Sequence, residues 1–150
     1  MIKLVTLSAK NDRHTLSINN FKINLNLSDS WTKIDNFGIC SYKNVLCNFE
    51  KGNKQYFLIF DSLFIQSNKN EINLFYREKV HTYVQDDKNK KGVKVLDKKY
   101  KEMNKELFKV SFNSLFNNKL VAKKEELKWE IFKLKAQVYF SLFENEEVWN

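Results

Sequence analysis

A chain of 150 residues has the length of one domain and can bury roughly two thirds of the surface its unfolded form exposes. Its 43% hydrophobic content, with thirteen Phe, excludes a disordered chain, and no apolar run approaches the roughly twenty residues of a membrane helix. The net charge of +8 is weak evidence for nucleic acid: the absence of Pro, three Gly and only Arg13 and Arg77 among the cations read as AT-rich coding, and Lys does not reproduce the bidentate contacts of Arg.

The hydrophobes of Met1 to Ala9 are too few for a secretion signal, so the expectation is a soluble cytoplasmic protein with no membrane segment. Phe21, Ile23, Leu25 and Leu27 alternate with polar residues, the period of a half-buried strand. Asn19-Asn20 before them predicts a tight hairpin with Ile18 facing Phe21, Leu16 facing Ile23 and His14 facing Leu25. Lys43-Asn44 admits a second hairpin, pairing Cys40 with Cys47, Tyr42 with Val45 and Gly38 with Phe49; one extended strand is the competing reading. Tyr56 to Phe60 and Leu63 to Ile65 read as the most buried strand, interrupted at Asp61 and Ser62. Ile72 to Val84 is its long antiparallel partner, and Asp86 to Gly92 an exposed charged loop.

Asp97 then caps a helix over Lys98 to Lys109, with Tyr100, Met103, Leu107 and Val110 on one face. Residues 111–118 either continue it or form an irregular link. Lys119 to Val148 reads as one helix with two apolar faces. Leu127, Ile131, Leu134, Val138 and Leu142 form an aliphatic stripe, while Trp129, Phe132, Ala136, Tyr139, Phe140 and Phe143 gather opposite. Strands followed by helices predict an α+β fold in one domain over 1–150, strand-rich over 1–84 and helical over 97–148. An antiparallel sheet from the N-terminal two thirds is expected to be covered by the two C-terminal helices.

Chemistry is sparse. Two Cys without a secretion signal read as reduced core residues, and with His14 and His81 they do not make a metal site, so neither metal nor cofactor is expected. Arg77, Lys79, His81 and Tyr83 alternate onto one face of the Ile72 to Val84 strand. A cation, an imidazole and a phenol in a row are the weak catalytic candidates, suited to a metal-independent nuclease-type toxin. Nine Lys between Lys88 and Lys109 stand against Asp97, Glu102 and Glu106, a local +6; Lys88, Lys90, Lys91, Lys94, Lys98, Lys99 and Lys101 form a basic patch that would suit a nucleic acid. From Lys119 onward six Lys balance six Glu. The aromatic side chains Trp129, Phe132, Tyr139, Phe140 and Phe143 are of the kinds that dominate interaction hot spots.

No phosphate-binding, hydrolase or metalloprotease motif occurs. The reading that results is a non-catalytic accessory protein, of the kind mobile elements or bacterial competition systems carry, that binds a protein partner or itself. A nucleic-acid binder using 88–109 and the nuclease-type toxin are the alternatives.

Overall fold

The structure is a computed structural model that describes residues 1–34 and 38–149. It is α+β, with a nine-stranded sheet and two long helices among the described residues. The chain divides into two compact units, Met1–Gln85 with Phe143–Asn150, and Asp86–Leu142.

The strands are β1 (Ile2–Ser8), β2 (Arg13–Ile18), β3 (Phe21–Asn24), β4 (Thr32–Lys33), β5 (Gly38–Lys51), β6 (Lys54–Ser67), β7 (Glu71–Tyr76), β8 (Thr82–Gln85) and β9 (Leu142–Glu144). Their order is β2-β1-β7-β6-β5-β3-β4, with β8 beside β6 and β9 beside β8. The sheet is mixed rather than wholly antiparallel, because β1 and β7 run parallel. Parallel neighbours need a long connection, and here the chain from β2 to β6 supplies it.

The hairpin expected at Asn19-Asn20 is a turn without a ladder across it. Leu16 pairs with Leu4 and Ile18 with Ile2, while Phe21 pairs with Phe49 and Ile23 with Cys47. Thus β2 and β3 lie five strand steps apart, about 24 Å in a flat sheet, yet the Cα atoms of Ile18 and Phe21 are at most about 11 Å apart. The sheet must therefore curl until its ends meet. Leu16, Ile18, Phe21 and Ile23 all point into the resulting core beside Val45, Phe49, Leu58, Leu63, Ile65 and Leu74. Alternation specified the buried face at Leu16, Ile18, Phe21 and Ile23, which a curled wall satisfies as well as a hairpin does; it failed beyond them, because β3 ends at Asn24, which is itself buried, and Leu25 is exposed.

The Lys43-Asn44 hairpin is also replaced, by the single-strand reading. β5 and β6 pair along their whole length and turn at Gly52-Asn53, where Gly52 has φ +63°. Fourteen residues each, or about 46 Å, would overrun so small a core if the strands stayed straight. Both bend at one level. Asn44 takes φ +52°, and the ladder skips the facing positions Asn44 and Asp61. The inward residues of β5 change from Tyr42 to Val45, Cys47 and Phe49, and those of β6 from Tyr56, Leu58 and Phe60 to Leu63 and Ile65. Because both strands change phase together, the register survives.

At the same level β6 exchanges neighbours. Phe57 and Leu58 pair with Tyr83 and Thr82 of β8, whereas Phe64 to Ser67 pair with β7. The predicted Ile72 to Val84 strand is accordingly broken at residues 77–81. Arg77 bonds Asp61 across this corner at 2.9 Å.

Cys40 and Cys47 lie seven residues apart on one strand, roughly 23 Å, and both are free. Cys47 is fully buried, and burial pushes its thiol far above its ordinary pKa. Thiol reagents are expected to titrate Cys40 alone in the native protein and both thiols after denaturation. A native titration that consumed both would contradict this burial.

Both helices differ from their expected bounds. α1 spans Lys90–Ser114 and is capped by Asn89, whose Oδ1 accepts from the Gly92 N–H at 3.0 Å. Asp97 is therefore internal and pairs with Lys101 at 2.9 Å, and Gly92 lies inside a helix that tolerates its cost. α2 covers only Val121–Phe140, after a short 3₁₀ turn at Asn118–Leu120. It stops where Ser141 adopts a left-handed φ of +53°, a position that usually carries Gly and so gave no stop signal.

The residues after Ser141 form no helix. Phe143 and Glu144 belong to β9, and Glu147–Trp149 make a 3₁₀ turn. The Asn145 N–H donates to the Thr82 carbonyl, and the Thr82 hydroxyl donates to the Asn145 carbonyl. The Lys51 ammonium donates to the Val148 carbonyl at 3.2 Å, and Lys54 pairs with Glu147 at 3.1 Å. Val148 enters the core and the Trp149 ring lies 4.4 Å from His14. A terminal segment thus fastens the curled sheet.

Candidate interaction surface

The surface of interest is the outer side of α1. Successive helical residues turn by about 100°. That places Leu96, Tyr100, Met103, Leu107 and Val110 on one side, where all are half or fully buried. Lys90, Lys94, Lys98, Lys101 and Lys105 fall on the other side, and all are exposed. The same stripe then changes character. Phe108, Phe112 and Phe116 continue it, with Leu115 adjacent, and these are 75%, 59%, 80% and 75% exposed. Phe112 and Phe116 meet edge to face at 5.8 Å.

Charge is graded along this stripe. The first turn of α1 holds no acidic residue, so Lys90 and Lys91 add to the positive end of the helix dipole. Asp97 pairs with Lys101 at 2.9 Å and Glu106 with Lys123 at 3.5 Å, while Glu102 lies beside the stripe in the same hollow as Lys98 and Lys105 without forming a close pair with Lys94, Lys98 or Lys105. Shallow depressions lie between the side chains of this helix alone. One of about 350 Å³ is bounded by Lys94, Asp97, Lys98, Lys101, Glu102 and Lys105, four cations against two carboxylates, and one of about 400 Å³ by Asn104, Lys105, Phe108 and Lys109.

The remaining predicted patch residues are peripheral to this stripe. Lys88 precedes the helix, its N–H donating to Asp86, and Lys99 is exposed on a flank. On α2, Trp129 and Phe132 stack at 6.4 Å, with the Lys133 ammonium 5.8 Å from the Trp129 ring. Both rings are half-buried, as is Phe140. Tyr139 is exposed beneath the Lys135 ammonium at 5.2 Å, while Phe143 sits on β9 rather than on the helix. The predicted aromatic face is therefore partly buried and divided between two elements.

The weak catalytic candidates are not brought together. Arg77 and Lys79 are exposed beyond the end of β7, and Arg77 is held by Asp61. His81 faces Glu146 at 3.3 Å, and Tyr83 is buried. The break at residues 77–81 removes the alternation that would have aligned them. The carboxyls of Glu71, Glu78 and Glu147 are held below the usual range by hydrogen bonds from Lys3, Lys10 and Lys54. These are exposed ion pairs, which contribute little to stability. Among the described residues no three His, Cys, Asp or Glu gather as metal ligands, and no helix is long and apolar enough to cross a membrane.

Comparison with known proteins bears on the sheet. The family model described as the UU051 N-terminal domain matches residues 2–81, more than half of the chain. The chain belongs to the UU051 N-terminal domain family. No curated protein matches it. The UU051 match runs from the start of β1 to the residue before β8, so α1 and its stripe lie outside the matched segment. Sequence reasoning found the lysines of this UU051 family member and left Phe112, Leu115 and Phe116 either on a continued helix or in an irregular packed link. The helix does continue, to Ser114, but the spacing of four from Phe108 through Phe112 to Phe116 was not read as an exposed stripe.

Proposed function

We propose that this protein is a non-catalytic interaction factor whose helical unit docks a protein partner. The observation that carries the reading is the exposure of Phe108, Phe112, Leu115 and Phe116 on one stripe. Burying such side chains gains roughly 1.5–3 kcal/mol each, so four supply about 6–12 kcal/mol before the cost of association. A monomer with nothing on this stripe forgoes most of that gain and carries an aggregation hazard. The two free cysteines are in keeping with a cytoplasmic setting.

Site-specific photocrosslinking in cells carrying the native gene tests the reading. A benzophenone side chain at position 112 or 116 is expected to give discrete protein adducts, whereas one at the exposed Thr15 of β2 gives none. Adducts at 112 should disappear when Phe108 and Phe116 are changed to Ser. Absence of adducts at both positions, with the purified protein monomeric in sedimentation, would refute the reading.

A further inference from the structure

We propose that the outer stripe of α1 binds an acidic amphipathic helix of another protein, its carboxylates over the lysine half and its apolar side chains over the phenylalanine half. This inference rests on the docking role proposed above and names the partner's chemistry.

The spacing along the stripe points to a helix. Lys94, Lys98, Lys101, Lys105, Phe108, Phe112 and Leu115 follow one another at alternating intervals of four and three. That is the heptad repeat by which one helix presents a seam to another, here over about 32 Å. Depressions between successive side chains are the holes that a facing helix fills with knobs, and the two at Lys94 to Lys105 and at Asn104 to Lys109 share Lys105. A flat lipid surface or an extended nucleic-acid strand has no use for a period of three and a half residues.

Charge selects among helices. A second copy aligned in parallel would set Lys94, Lys98, Lys101 and Lys105 against the same four lysines. Turned antiparallel, it would set them against Phe108, Phe112 and Leu115, with no counter-charge for the ammonium groups. Neither arrangement satisfies both halves. Glu or Asp at the seam positions of one half and Leu, Ile or Phe at those of the other satisfy both, and the unneutralised lysines speed encounter with such a partner. A polynucleotide would engage the lysine half alone and leave the rings uncovered.

The test measures binding of labelled probes to the full chain by fluorescence anisotropy. The probes are synthetic helical peptides of three heptads with Glu on half of the seam and Leu on the other half, made in both sequence orders. Control peptides carry Ser for Leu or Lys for Glu, and a uridine-rich single-stranded RNA is included. One Glu-Leu order is expected to bind, with affinity falling about tenfold or more for either control peptide. The same loss is expected in the protein carrying Lys94→Glu, Lys98→Glu, Lys101→Glu and Lys105→Glu, and in Phe108→Ser with Phe112→Ser. These residues are exposed, so helix content by circular dichroism should hold; if it falls, the control peptides on the unaltered protein decide.

Several results would overturn the inference: no binding of either Glu-Leu order, equal binding of the Ser control, indifference to the lysine reversal, or preferential binding of the RNA. Any of these alongside the crosslinks at positions 112 and 116 leaves the docking role standing with a different partner. Loss of the crosslinks removes both.

Discussion

Phe49→Ala is expected to destabilise the protein by about 3–5 kcal/mol, the range for emptying a buried aromatic site. Phe49 is completely buried on β5, between Phe21 of β3 and Tyr56 of β6, and it stacks on the Tyr56 ring at 5.6 Å. Its neighbours belong to paired strands that cannot close around a missing ring without losing ladder hydrogen bonds. Much of the resulting cavity therefore persists. Ile39→Ala on the same strand is the internal comparison, because Ile39 is largely exposed and its loss should stay within about 0.5 kcal/mol. Urea unfolding of both variants reads the contrast. A Phe49→Ala loss no larger than that of Ile39→Ala would mean that the core lies elsewhere.

Val148→Asp is expected to release the terminal segment while the sheet stays folded. Keeping an unpaired carboxylate at this buried position would cost several kcal/mol. The docking of residues 143–149 rests on Val148 in the core, Trp149 packed against it, the pairing of β9 with β8, a few hydrogen bonds and the exposed Lys54–Glu147 pair, which leave only a few kcal/mol once the cost of ordering the segment is subtracted. Undocking is thus the cheaper response. Trp149 would leave His14, so its fluorescence should shift to the red and become quenchable by acrylamide, measured with Trp31→Phe and Trp129→Phe to isolate the signal. Far-UV dichroism of the sheet should change little. An unshifted Trp149 emission would show that the segment stays docked, and global unfolding at low urea would show that it is integral to the sheet.

The parts of the fold legible in the sequence were those that depend on period alone. The apolar run Tyr56 to Phe60 identified a strand and the interruption at Asp61-Ser62 marked the bend, whereas the alternation of Phe21 to Leu27 held only for Phe21 and Ile23, because β3 ends at Asn24 and Leu27 adopts a left-handed φ of +53°. Partner choice was not legible. The pattern of Leu16 and Ile18 is the same whether they face β3 or β1, and only the curl of the whole sheet decides between them. Helix ends failed for local reasons: Asn89 caps as well as Asp97 would, but Gly92 in the first turn reads as loop, and Ser141 occupies a left-handed position where Gly would have announced the stop. The site suffered from the open reading of residues 111–118. Lysines at 94, 98, 101 and 105 were visible as charge, but their alignment with Phe108 and Phe112 holds only for the continued helix, which was one of two alternatives.

The shared bend of β5 and β6 also constrains how this sheet can change by insertion and deletion. Loss of one residue at Asn44 alone would restore plain alternation in β5, keeping Tyr42, Val45, Cys47 and Phe49 inward, but would leave Asp61 of β6 with no residue opposite it, a one-sided bulge. Loss of one residue at Asp61 alone would leave Asn44 as the bulge instead. Removing both at once restores the match across the hairpin. Length changes at these two sites, seventeen positions apart in the chain, should therefore be inherited as a pair, whereas the Gly52-Asn53 turn at the hairpin tip is free to lengthen by itself.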